Sequence, residues 1–137
     1  ATEQWDTGNT FFDPTALQIS TVRAGHGVTN VIPASIEVIF NLRFSTEISV
    51  DDIKTRCDAI LQQHGLSYDL TWSLSGEPFL TEPGALLNAI KDSIQAVTGL
   101  DPEVSTGGGT SDGRFIAPTG AQVVEVGHVN STIHQCN

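Results

Sequence analysis

The sequence predicts an α+β fold: an antiparallel sheet covered by a helix over residues 1–77, followed by a partial α/β segment over 78–137. Three observations carry this reading. Between Ser35 and Ser45 apolar residues alternate strictly, with Ile36, Val38, Phe40, Leu42 and Phe44 on one face and Glu37, Ile39, Asn41 and Arg43 on the other. Such a strand packs one face on a core and turns the other to solvent or a partner. From Ser49 to His64 the apolar positions Val50, Ile53, Cys57, Ile60 and Leu61 recur at helical spacing. After Gly76-Glu77-Pro78 the pattern changes to helix, short strand, loop-helix and a nearly continuous apolar strand. That order suits a parallel sheet buried on both faces.

Taken in order, residues 1–14 are polar and aromatic and end at Phe11-Phe12-Asp13-Pro14, where proline breaks any regular element. Thr15 to Ala24 alternates as a half-buried strand, Leu17, Ile19 and Thr21 against Gln18, Ser20 and Val22. Gly25-His26-Gly27 signals a turn, and Pro33 limits the following segment to a loop or irregular edge. This strand and the next make a long hairpin. Ser49 is placed to cap the helix, Asp51 and Asp52 suit its positive end, and Gly65 stops it. Tyr68, Leu70, Trp72 and Leu74 alternate with polar neighbours as a further half-buried strand. A second helix spans Gly84 to Thr98 and stops at Gly99. A short strand is expected from Pro102 to Thr106, a short helix near Asp112 to Ile116, and a buried strand from Gln122 to Val126.

Composition narrows the function. Apolar content is 39% and charged content 16% of 137 residues, enough for a core and too apolar for a disordered chain. The net charge of −10, with only six Lys and Arg, repels phosphate backbones and argues against nucleic-acid partners. No apolar run approaches the roughly 20 residues that span a bilayer, so no membrane partner is expected. The polar, acidic opening Ala-Thr-Glu-Gln-Trp-Asp does not look like a signal peptide, and a cytoplasmic location is expected. Cys57 and Cys136 lie far apart in no metal-like spacing; Cys57 reads as a buried free thiol, with a disulfide as the alternative. Position 1 is not Met and the chain stops just after Cys136, so it is expected to be a piece of a longer protein.

Several residues could carry chemistry. Four glycines, Gly107, Gly108, Gly109 and Gly113, flank Thr110, Ser111 and Asp112. The run reads as well for a flexible turn as for backbone N–H groups aimed at an anion. It lacks the G-K-[ST] ending of a P-loop and is not G-x-G-x-x-G. Asp112 fits a helix cap better than a catalytic acid. His134, past the buried strand, stands where α/β sites gather and suits a metal ligand, a role for which His128 competes. No close His/Cys/Asp/Glu cluster completes a metal set. Arg43 is either a solvated arginine or a two-pronged carboxylate clamp. Asn30 is a turn residue or an amide donor to substrate, and His26 is expected to be exposed.

Four motifs in register resemble the succinyl-diaminopimelate desuccinylases, a family of dizinc aminoacylase and carboxypeptidase-like metallopeptidases. They are Asn30-Val31-Ile32-Pro33, Phe40-Asn41-Leu42-Arg43-Phe44-Ser45-Thr46, Gly108-Gly109-Thr110-Ser111-Asp112-Gly113-Arg114-Phe115 and Thr132-Ile133-His134-Gln135. The resemblance implies that 1–77 is part of a lid and dimerisation domain and 78–137 part of the catalytic domain. It implies hydrolysis of N-succinyl-LL-2,6-diaminopimelate, a dicarboxylate amide, to succinate and LL-2,6-diaminopimelate. By the same resemblance, a zinc-bound water would attack the amide and a glutamate would act as general base. Two zinc ions, with cobalt as an alternative, and a homodimer through the lid are further implications. His134 matches the last zinc ligand; Arg43 matches a substrate-carboxylate arginine; Asn30 matches a lid residue reaching the partner subunit's site; Ser75, Gly109 and Thr110 match pocket positions. The other zinc ligands and the general base would precede Ala1, so this stretch alone is expected to be inactive and to hold zinc weakly or not at all. A related N-acetyl-ornithine-type deacylase and a stand-alone dimerisation module are the alternatives.

Overall fold

In the computed structural model, which describes residues 3–107 and 111–127, the two alternating runs pair as one antiparallel sheet. Strand β1 (Ala16–Ala24) runs against β2 (Ile36–Arg43), with Leu17 opposite Leu42 and Ile19 opposite Phe40. The register then shifts: Thr21, not Ser20, stands opposite Ile39, and Val22 opposite Val38. Ser20 is the extra residue of a bulge, and its hydroxyl donates to the Ile39 carbonyl at 3.2 Å. The shift corrects the faces expected for β1. Thr21 moves to the polar side, and Val22 and Ala24 join Leu17 and Ile19. One face then carries Leu17, Ile19, Val22 and Ala24 beside Leu42, Phe40, Val38 and Ile36 without interruption. Plain period-two counting cannot see this, because a bulge resets the phase.

Helix α1 (Val50–Gln63) forms where its caps place it. The Ser49 hydroxyl accepts the Asp52 N–H at 3.1 Å and donates to the Asp52 carboxylate at 2.7 Å. At the other end Gly65 has φ 64°, and the Gly65 and Leu66 N–H groups close onto the Gln62 and Leu61 carbonyls. This is a Schellman motif, which needs the left-handed residue. Ile53 and Cys57 are buried on the helix and Trp5 in the N-terminal segment. Burial of side chains this size stabilises by about 1.5–3 kcal/mol each. Arg56 fastens the segment: it donates to the Trp5 carbonyl at 2.5 Å and the Gln4 carbonyl at 2.8 Å, pairs with Glu3, and lies 5.0 Å over the Trp5 ring. Burial pushes the Cys57 thiol up, and Asp58 adds to that, so the free thiol stays protonated and inert.

The chain divides into two compact units, Ala1–Tyr68 and Asp69–Asn137. In the second unit α2 (Ala85–Thr98) ends at Gly99 with φ 74°, and α3 (Gly113–Ile116) leads into a 3₁₀ turn at Ala117–Thr119. Three expected strands are not formed. Residues 67–74, 102–106 and 122–126 carry no ladder, and Leu74 and Val126 are exposed. Alternation marks which side chains could be covered; a strand also needs a neighbouring strand to take its N–H and C=O groups in a ladder, and among the described residues only β1 and β2 form one. Asp112 does occupy the cap position of α3 but makes no side-chain cap bond. Ser111 does that work, accepting the Gly113 N–H at 2.8 Å. Gly113 is buried because nothing larger fits: a Cβ there would lie 2.8 Å from Phe79 and from Val123.

Candidate dimerisation arm and binding residues

A polar hub ties the N-terminal segment to the base of the hairpin. One Asp6 carboxylate oxygen accepts the Gly8 N–H at 2.8 Å and the Thr15 N–H at 3.0 Å. The other accepts the Thr15 hydroxyl and, at 3.0 Å, the Ser45 hydroxyl. Ser45 N–H donates to the Thr15 hydroxyl oxygen at 3.0 Å, and Glu47 N–H to the Ser45 hydroxyl at 3.0 Å. Thr15 and Ser45 are the two buried polar residues of the described chain. Burial works against ionisation of Asp6, but the bonds from Thr15, Gly8 and Ser45 outweigh it and hold the carboxyl below its ordinary value. No periodicity or motif in the sequence marks this hub. The available signal was Asp6-Thr7-Gly8, an Asp two residues before a glycine that can take positive φ, which here is 64°.

Beyond that anchored base the hairpin is a bare arm. Leu17, Phe40, Leu42 and Phe44 are half-buried, whereas Val22, Ile36, Val38 and Ile39 are exposed. The connecting loop adds Val28, Val31 and Ile32, the last 92% exposed. An uncovered apolar surface of this extent marks an interaction site. Arg23 and Glu37 pair across the arm at 3.3 Å, beside a shallow groove of about 430 Å³ lined by Val28, Val31, Ile32 and Pro33.

The expected site residues are spread out. Arg43 ends β2 on the side of Asn41 and Glu37, exposed and in no ion pair among the described residues. Asn30 lies exposed in the loop at the opposite end of the hairpin. The length of β2 alone separates the two ends by about 23 Å at a strand's rise per residue. Within the first unit the structure therefore does not bring Arg43 and Asn30 together. Ser75 is exposed in the second unit, outside its helices. Gly109, Thr110 and His134 lie outside the described residues, as does His128. Among the described residues no group of three His, Cys, Asp or Glu could hold a metal ion. No helix there is long and apolar enough to cross a membrane.

A hairpin anchored at its base and apolar along its arm is a shape made for association, and residues 1–69 match the family model of the peptidase dimerisation domain. The chain belongs to the peptidase dimerisation domain family. Its similarity to individual proteins extends past the dimerisation domain. It is 60% identical over 137 residues to the succinyl-diaminopimelate desuccinylase of Hahella chejuensis, covering 100% of this chain and 36% of that protein. It is 60% identical over 134 residues to the enzyme of the same name from Methylococcus capsulatus, and 58% over 135 residues to that of Pseudomonas syringae pv. syringae. The coverage of those two is 98% of this chain and 36% of each relative. The chain thus spans about a third of the length of the curated relatives it matches.

Proposed function

We propose that this chain is the dimerisation lid and an adjoining catalytic-domain segment of a metal-dependent amide hydrolase that removes succinate from N-succinyl-diaminopimelate. The observation that supports this most strongly is identity of 54–60% over 98–100% of the chain to six proteins of that name. The four motifs that carry the resemblance fall on both sides of the matched domain's end. In this reading 1–77 acts as the lid and 78–137 as the catalytic part, in the cytoplasm, and the free Cys57 thiol fits a reducing compartment.

The described residues do not themselves fit a zinc pair. What they supply is grip. Arg43, exposed and in no ion pair among the described residues, would offer a planar fork to a substrate carboxylate. Asn30, exposed at the far end of the arm, would serve a second copy's site, and the exposed apolar face of Val22, Ile36 and Val38 would be the surface that copy covers. Ser75, Gly109 and Thr110 would line the pocket and His134 would supply one metal ligand, zinc or cobalt. Residues 1–137 alone should show no turnover with added zinc.

The test is hydrolysis by the complete protein. Succinylated diaminopimelate should be cleaved far faster than acetylated analogues. Arg43→Ala should lower kcat/KM by about a hundredfold, the size expected for losing charge-assisted hydrogen bonds, and should narrow the preference for the dicarboxylate. Equal or faster cleavage of acetylated substrates would sink the reading.

A further inference from the structure

The second unit contains a groove of about 660 Å³ between residues 77–82 and the turn that follows α3. Its apolar lining includes Phe79, Leu80, Pro118 and Ala121, and its charged groups are Arg114, Glu77 and Glu82. The uncharged polar groups are already engaged. Thr81 donates to the Val123 carbonyl and accepts the Val123 N–H at 3.2 Å, and the Gln122 amide donates to the Glu82 carbonyl at 3.3 Å.

Arg114 is different. Its side chain makes no hydrogen bond or ion pair among the described residues, where its Nε is buried without an acceptor. Native structures rarely keep a buried donor unused. The side chain is nevertheless held in place. Its stem passes across Gly76, where a Cβ would stand 2.6 Å from the Arg114 Cδ, and its guanidinium lies 4.6 Å over the Phe115 ring. A fixed, unpaired guanidinium is a seat for a carboxylate. A plain anion in this groove would also face Glu77 and Glu82. A ligand with an ammonium beside its carboxylate answers both charges, and an aliphatic tail answers the lining.

We propose that this groove binds an α-amino acid with an aliphatic side chain. Its carboxylate sits on Arg114, its ammonium is turned to Glu77 or Glu82, and its tail lies against Phe79, Leu80 and Pro118. The proposal rests on the groove alone and stands apart from the desuccinylase reading.

The experiment is an NMR titration of the chain with norleucine, hexanoate and hexylamine, following the Arg114 Nε–H signal and the Phe79 and Leu80 amides. Norleucine should move all three saturably, at least tenfold more tightly than hexanoate, and hexylamine should leave Arg114 Nε–H in place. Arg114→Gln should abolish the norleucine shifts. The double variant Glu77→Gln/Glu82→Gln, which leaves Arg114 intact, should erase the preference for norleucine over hexanoate and so gives a second test if Arg114→Gln perturbs the unit. The same shifts are expected in any longer natural form of the protein. Equal binding of hexanoate, shifts that survive Arg114→Gln, no response to norleucine, or loss of the response in a longer form would each overturn the proposal.

Discussion

In the first unit the two alternating runs find each other and form the β1–β2 ladder, while in the second the apolar run Gln122–Val126 stands in no ladder and is exposed at Val126. The helices show no such contrast. α1 and α2 both start and stop within a residue or two of where their periodicity and glycines put them. A helix closes its hydrogen bonds within its own segment, so neighbouring residues suffice. A strand borrows its partners from elsewhere in the chain, and only β1 and β2 have them among the described residues. The units also differ in how their packing is specified. The first relies on a buried polar hub around Asp6, and the second on close approach at Gly113.

If that contrast is right, the largest effect belongs to the hub. Asp6→Ala should cost the first unit about 3 kcal/mol in urea unfolding, because it leaves the buried Thr15 and Ser45 hydroxyls without their acceptor. The pH dependence should carry the same signature. The folded-state value of Asp6 is lowered, so its contribution is complete above the unfolded carboxylate value and is lost as pH falls below about 4 towards the folded value. Asp6→Asn should flatten that part of the stability profile; an unchanged acid limb would show that the hub does not stabilise the unit.

Gly113→Ala should come next, at about 1–3 kcal/mol, by forcing Phe79 and Val123 apart. Hydrogen exchange should show the loss confined to the second unit. A loss spread equally over both units would erase the distinction between them. The caps then sharpen the likeness between the helices. Gly65→Ala and Gly99→Ala should each cost about 1 kcal/mol, one per unit, because both positions have positive φ and open space for a Cβ. A cost several times larger at one of them would mean that its cap is not a local matter. The smallest effect should come from deleting Ser20. The pairs on either side of the bulge would close into a regular ladder with the same faces, so the unfolding free energy, measured by thermal melting, should change by no more than about 0.5 kcal/mol. A cooperative loss of the hairpin would show that the bulge holds the register rather than tolerating an extra residue.

The functional residues divide along the same line. Arg43 was legible because strict alternation put it on the polar face of β2, and the structure keeps it there, exposed. Asn30 was legible as a loop residue, and its distance from Arg43 follows from the hairpin. The Asp6 hub joins residues 39 positions apart, and the Arg114 stem packs across Gly76, 38 positions earlier. Neither relation leaves a local pattern to read. The three alternating or apolar runs that form no strand failed for the opposite reason: their local signal was present, and among the described residues no second strand lies in a ladder with them.

By itself the sequence determined what lies within reach of a few bonds. That includes both long helices with their caps, the two strands of the hairpin, the apolar face of β2 and the acidic surface, because propensity, capping and period are properties of short stretches. Only the tertiary structure decided the bulge that keeps β1 in phase, the half-buried carboxylate that joins Thr15 to Ser45, the bareness of the arm and the Arg114 side chain left unpaired among the described residues. Each of these is set by which distant groups meet and which find no partner, and no window of neighbouring residues contains that information.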